Sequence, residues 1–159
     1  MTIAHTLKSF LDKEQVPYEV IAHRHTATSL RTAETAHIEA SRLAKAVLLE
    51  QDLEHSHYLM AVLPASHRLE LPEVALRVGR LVHLATEEDA AMLFEDCETG
   101  AIPPVGPAYG IDTVVEDSVL AQPDMYLEAG DHEHVVHMAT RDFLRLVGDC
   151  PHGRFSRAA

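Results

Sequence analysis

Lys45 opens an otherwise apolar run, KAVLLE. An ammonium held at the edge of a pocket grips a phosphate or carboxylate as a point charge, although a lysine at a strand end also suits simple snorkelling to solvent. The second feature is Gly100-Ala101-Ile102-Pro103-Pro104-Val105-Gly106. A loop stiffened by two prolines and opened by glycine can aim backbone N–H groups into a pocket, as acyl transfer requires for its oxyanion. The same composition also serves as a plain structural turn. The third feature is Gly130-Asp131-His132-Glu133-His134-Val135-Val136-His137. In an extended chain His132 and His134 share a face and His137 takes the other, so a three-histidine metal site is geometrically poor there. Cys97 and Cys150 carry no local signature of a nucleophile. His55 and His57 fall at an expected hairpin turn. No nucleophile elbow, phosphate loop, dinucleotide fingerprint or paired zinc motif occurs, so catalysis would rest on backbone donors, lysine, histidine or water.

These residues need a scaffold, and 159 residues suit one domain with one sizeable core. Hydrophobic residues make up 47% and charged ones 24%, which excludes a disordered, collagen-like or low-complexity chain. No apolar run approaches the ~20 residues of a membrane span, and the opening MTIAHTLKSFLDKEQ lacks a secretory apolar core. The expectation is a cytoplasmic protein with no membrane or DNA partner. Two cysteines make no disulfide framework. The net charge of −12 argues against broad binding to a phosphate backbone, while leaving room for a local contact.

Periodicity predicts the elements. Ile3, Leu7, Phe10 and Leu11 share a helical face ended by Pro17, and 18–22 reads as a strand. A polar loop follows with His23, His25, Thr26 and Thr28. Thr32 is the expected cap of an Ala-rich helix reaching about Leu43. Residues 45–50 and 57–64 read as an antiparallel hairpin. Residues 71–78 read as a helix stopped by Gly79, 81–84 as a strand, and 86–94 as a helix capped by Thr86. After the Pro/Gly loop, strands are expected at 113–116, 125–128 and 135–138. A helical turn is expected at 117–120 and a closing helix at 140–146 capped by Thr140. Residues 149–159 are expected to form a flexible tail. The mixture implies an α+β fold.

In order along the chain, an opening helix is followed by the His25 loop, Thr32-Ala33-Glu34-Thr35-Ala36, Lys45, VLPASHRLEL, Gly100 to Pro104, and Gly130 to His137. The set resembles the YbaK/prolyl-tRNA-synthetase-associated domain family, bacterial editing proteins that hydrolyse misacylated tRNA. The match runs over roughly residues 6–147. Gly100 to Pro104 fits the family's G-x-x-x-P loop, and Gly130 to His137 fits its G-x-N-x-x-x-x-H spacing, with His132 where the motif has asparagine. The resemblance implies a single mixed α/β domain over 1–148, with a strongly curved, largely antiparallel central sheet and flanking helices. It also implies a freestanding trans-editing deacylase with no metal or cofactor. Its substrate would be the acceptor end of an aminoacyl-tRNA, with prolyl-tRNA synthetase as a possible partner.

By that analogy, amides near Gly100 and Ala101 would hold the acyl carbonyl. Lys45 would fix the terminal adenosine or its phosphate, and His137 would orient substrate or water. The ribose hydroxyl beside the ester would help to activate water. His25, Thr26, Thr28, Ile102, Pro103, Pro104, Gly130 and His132 would line the substrate site. A noncatalytic binding module on the same fold is the alternative, and a histidine-rich metal binder using His132, His134 and His137 ranks below both.

Overall fold

A computed structural model describes residues 3–51 and 57–159. The first half contains α1 (His5–Lys13), β1 (Glu19–Ala22), α2 (Ser29–Thr35), β2 (Leu43–Gln51), β3 (His57–Pro64), β4 (His67–Leu69), α3 (Leu71–Val78), β5 (Val82–Leu84) and α4 (Glu87–Leu93). A 3-10 turn at Gly106–Tyr109 leads into β6 (Asp112–Glu116), α5 (Asp117–Leu120), β7 (Asp124–Glu128), β8 (His134–Ala139), α6 (Thr140–Val147), β9 (His152–Gly153) and β10 (Ser156–Ala158). Eight strands form one sheet in the order β1-β8-β7-β2-β3-β6-β9, with β5 also pairing to β2. The fold is mixed α/β around a mostly antiparallel sheet. β2–β7, β3–β6 and β6–β9 run parallel. Among the described residues the sheet is open, with no pairing between β1 and β9 to close it.

Strand alternation builds two apolar faces. Met60, Val62, Met125, Leu127, Val136 and Met138 turn to one side, where Leu7 and Leu11 of α1 and Phe143 and Leu146 of α6 cover them. Leu49, Leu59, Ala61 and Val114 turn to the other, under Val74 of α3 and Phe155. On that second face Leu43, Ala65 and Val135 form a separate patch beneath Ala33 of α2. Lys45 is an odd-numbered β2 residue on this face, placed between the patch at Leu43 and the cluster at Leu49.

Several elements depart from expectation. α2 begins at Ser29, because the Thr28 hydroxyl accepts the Arg31 amide (3.2 Å) and takes the capping role expected of Thr32. Thr32 is buried inside the helix, which ends at Thr35 and not near Leu43. Thr140 starts α6 but does not cap it; its hydroxyl donates to the Gln122 carbonyl (2.5 Å). Thr86 does cap α4, accepting the Asp89 amide at 3.0 Å. The segment after Gly148 is not frayed. β9 pairs with β6, β10 pairs with β4, and Phe155 is fully buried while its amide donates to Glu116 Oε2 (2.8 Å). The expected turn carrying His55 lies outside the described residues, and His57 begins β3. Among the described residues no helix is long and apolar enough to cross a membrane.

Candidate active site

The sheet splits beside Lys45. The outer edge of β2 pairs with β7 only at Leu43 and Ala44, and with β5 only from Leu49 to Gln51. Continued by one residue, the β2–β7 register would place Lys45 beside Glu128, so both sit where the two strands part. Lys45 is half-buried with Nζ 3.4 Å from the Ala65 carbonyl, and burial holds its pKa below the ordinary lysine value.

Glu128 is the residue that sequence reasoning missed. Its side chain is 1% exposed, and burial pushes its carboxyl up to about 7, with the hydroxyls of Ser29 and Thr32 pulling the other way. Ser29 Oγ donates to Oε2 at 3.3 Å, and Oε1 has no partner. Around it the lead-in to α2 is tied down. Thr26 is buried with its hydroxyl 2.6 Å from that of Thr32, and its amide donates to the His132 carbonyl (3.1 Å).

His132 sits in the left-handed backbone region, φ 59°, in a turn between β7 and β8. The ring is buried. Its Nε2 lies 2.6 Å from the Thr99 carbonyl, and because a carbonyl only accepts, Nε2 carries the proton. The other nitrogen, Nδ1, faces Glu128 Oε2 at 3.7 Å and has no hydrogen-bond partner. His25 meets the same group from the surface. Its ring is edge-on to His132 at 5.7 Å, and its Nε2 is 3.2 Å from Glu98 Oε1.

The Gly100 loop is built against this histidine. The Glu98 amide donates to the Gly130 carbonyl (2.7 Å), and the Ala101 amide donates back to the Glu98 carbonyl (3.1 Å). That second bond corrects the expectation for Ala101, whose N–H is consumed within the turn. Within the loop, residues 100–106, the amides of Gly100, Ile102 and Gly106 have no main-chain partner among the described residues, and Gly106 is buried at the head of the 3-10 turn, which leaves Gly100 and Ile102 as the pair at the front of the loop. Gly100 has φ 82°, and a Cβ there would stand 3.5 Å from the His132 ring. Pro103 and Pro104 are buried and have no N–H to give, so the donors lie between fixed neighbours. Gly130 proves to be a packing glycine. At φ 105° its Cβ would come within 2.8 Å of Ala4 Cβ, so its role is to let the chain approach α1 and present its carbonyl to Glu98.

Two expected site residues have their polar groups engaged in structural contacts. Thr28 is the α2 cap described above. His137 is three residues along β8 from His134, stacked on Tyr126 at 4.4 Å, with Nε2 2.5 Å from Asp124 and Nδ1 3.1 Å from Glu19. His137 and Arg42 hold the Asp124 carboxyl below its usual range, and the group braces β1, β8, β7 and the start of β2. His134 is likewise taken, with Nδ1 2.6 Å from Asp131. Among the described residues no group of three or more His, Cys, Asp or Glu is disposed to hold a metal. The Cys97 thiol contacts Tyr109 and is pushed by burial up to about 12, which keeps it protonated near neutral pH.

A family model for the aminoacyl-tRNA editing domain matches residues 23–146, and the chain belongs to that family. The match takes in α2, Lys45, the Gly100 loop and the Glu128–His132 turn. Solved structures share the fold at low identity. A hypothetical protein, APE2540, superposes with a TM-score of 0.83 at 17% identity, over 96% of this chain and 100% of that one. A candidate trans-editing enzyme for prolyl tRNA synthetase gives 0.80 at 18% identity, over 98% and 97%. A candidate signal transduction protein from Marinobacter aquaeolei VT8 gives 0.74 at 20% identity, over 95% of this chain but 30% of its own length.

Proposed function

We propose that this protein hydrolyses, in trans, the ester bond of a tRNA carrying a small wrong amino acid, proline tRNA being the first substrate to test. The observation that carries the reading is the pair of unpartnered amides at Gly100 and Ile102, held on a rigid turn beside His132. In the reaction a water oxygen adds to the acyl carbonyl carbon, and the carbonyl oxygen takes the charge. Preorganised N–H donors are worth most there, because they need not reorient as the charge develops. The tetrahedral intermediate then breaks its bond to the ribose oxygen, which leaves as the hydroxyl by taking the proton that the attacking water gives up. The ester is already activated, so a protein nucleophile is unnecessary, in keeping with a Cys97 thiol that stays protonated. Lys45 grips the phosphate or the terminal ribose as a point charge. His132 backs the loop through Thr99, and His25 and Thr26 border the acyl group.

The charge of −12 makes tRNA capture by this chain alone weak, so a synthetase that presents the acceptor end is the natural partner. The test is deacylation of proline tRNA charged in turn with alanine, cysteine, serine, threonine and 2-aminobutyrate, with and without prolyl-tRNA synthetase. Selective hydrolysis of one member is expected, reduced by about 100-fold or more in Lys45→Ala with melting unchanged, the loss typical of an anchoring charge. Full activity in that variant removes Lys45 from the site. No hydrolysis of any member, synthetase included, returns the fold to a binding role.

A further inference from the structure

Behind the Gly100 loop, on the face of β2 away from Lys45, lies a cavity of about 240 Å³. Its walls include Leu48, Ala85, Ala90, Phe94 and Ile102, and it reaches Gly100. That volume is below the ~300 Å³ at which drug-sized pockets begin, so it suits one small planar group. What distinguishes it is its back wall, the unpaired edge of β2. Main-chain groups of even-numbered β2 residues face this edge: the Arg42 carbonyl takes the Tyr126 amide and the Leu48 carbonyl takes the Ala85 amide, whereas Leu43 turns its carbonyl to Ala65 of the β3 side. The register with β7 stops at Ala44, and that with β5 starts at Leu49. Among the described residues the Ala46 amide and carbonyl and the Leu48 amide are therefore left without main-chain partners on one edge, the Ala46 carbonyl and the Leu48 amide lying two residues apart.

Buried main-chain groups are ordinarily paired, so an acceptor and a donor left side by side on a cavity wall are complementary to a ligand edge that offers a donor and an acceptor. The gap is too short to take an added strand, which excludes an extended peptide. Glu87 and Glu98 at the rim disfavour an anion. A neutral heteroaromatic ring with an amino group beside an unprotonated ring nitrogen meets every condition, and adenine, the base that ends every tRNA, is such a ring.

We infer that the open edge of β2 is the binding site for the 3′-terminal adenine of the tRNA, with the exocyclic amine donating to the Ala46 carbonyl and the Leu48 amide donating to the neighbouring ring nitrogen. This rests on the editing reading above and adds to it a division of labour. The base enters the apolar cavity on the α4 side, the ester lies at Gly100, and the acyl group and phosphate lie toward Lys45. Hypoxanthine reverses the pattern, offering a carbonyl where adenine offers an amine and a ring N–H where adenine offers a lone pair.

The test titrates the full chain with adenosine and with inosine by calorimetry, alongside Ala90→Leu, which fills the cavity from α4 with a good helix former. Adenosine is expected to bind at least 10-fold more tightly than inosine, and Ala90→Leu to weaken adenosine at least 10-fold with its melting temperature held. Equal binding of the two nucleosides, no adenosine binding, or adenosine binding that survives Ala90→Leu overturns the inference. The tRNA panel separates the two claims. Deacylation with no preference for adenosine discards the base site and keeps the hydrolase, while discriminating adenosine binding without deacylation keeps the base site and discards hydrolysis.

Discussion

Two histidines, five residues apart in sequence, show opposite uses of the same side chain. His137 has a carboxylate at each ring nitrogen, an aromatic ring beneath it and ordinary strand backbone. His132 is buried in left-handed backbone with one nitrogen fixed on Thr99 and the other facing Glu128 unpartnered. The first arrangement is closed and braces four strands. The second holds strain and unmet hydrogen-bonding capacity, which a fold retains where the surroundings over-determine it and which clusters at functional sites. Identity of residue and nearness in sequence say little about role here, and the state of the partners says a great deal.

The largest way to break this contrast is through Glu128. Its carboxyl in the folded chain titrates near 7, above its ordinary 4.5, so the folded state binds that proton more tightly than the unfolded one. The contribution is fully present below about pH 4.5 and is lost as pH rises through about 7, a fall of about 3 kcal/mol in unfolding free energy. Glu128→Gln should flatten that fall and be the more stable protein at pH 8, measured by urea melts across pH; an unaltered profile would refute the assignment. Next in size, His132→Ala should lower kcat/KM by about 30-fold, or about 2 kcal/mol of transition-state stabilisation, because Thr99 loses its donor and the Gly100 loop its backing. Gly100→Val should match it, since φ 82° and the 3.5 Å approach of His132 oppose a branched side chain. Smallest, His137→Ala should leave kcat/KM within about threefold while costing about 1 kcal/mol of stability. A His137 variant that folds normally but is inactive would reverse the comparison.

The hairpin of β2 and β3, the Thr86 cap and the Gly79 stop were legible because each depends on neighbours within a few residues. Lys45 was legible for the same reason, as a charge at the head of an apolar run. Thr28 and Thr32 are chemically equal as caps; what selects Thr28 is the burial of Thr32 against Thr26. Glu128 read as an ordinary strand end, because its burial depends on Ser29 and Thr32, almost 100 residues away in sequence. Phe155 likewise gains its value from Glu116, Leu59 and Val74, which no local pattern announces. Residue types also do not tell which amides of a loop are spent, so Ala101 and Ile102 exchange roles once the Glu98 turn is seen.

The chain of bonds from Gly130 to Glu98 to Ala101, backed by the close approach of Gly130 to Ala4, holds the loop in place with protein partners alone. Ordering a loop residue at the moment of binding would cost about 1–2 kcal/mol in entropy. Here that ordering belongs to folding, so in the proposed hydrolysis the loop itself adds little to the entropic part of the barrier. Loosening the far end at Ala4 would then surface as a more negative activation entropy for that reaction, set by a residue whose observed contact is with Gly130.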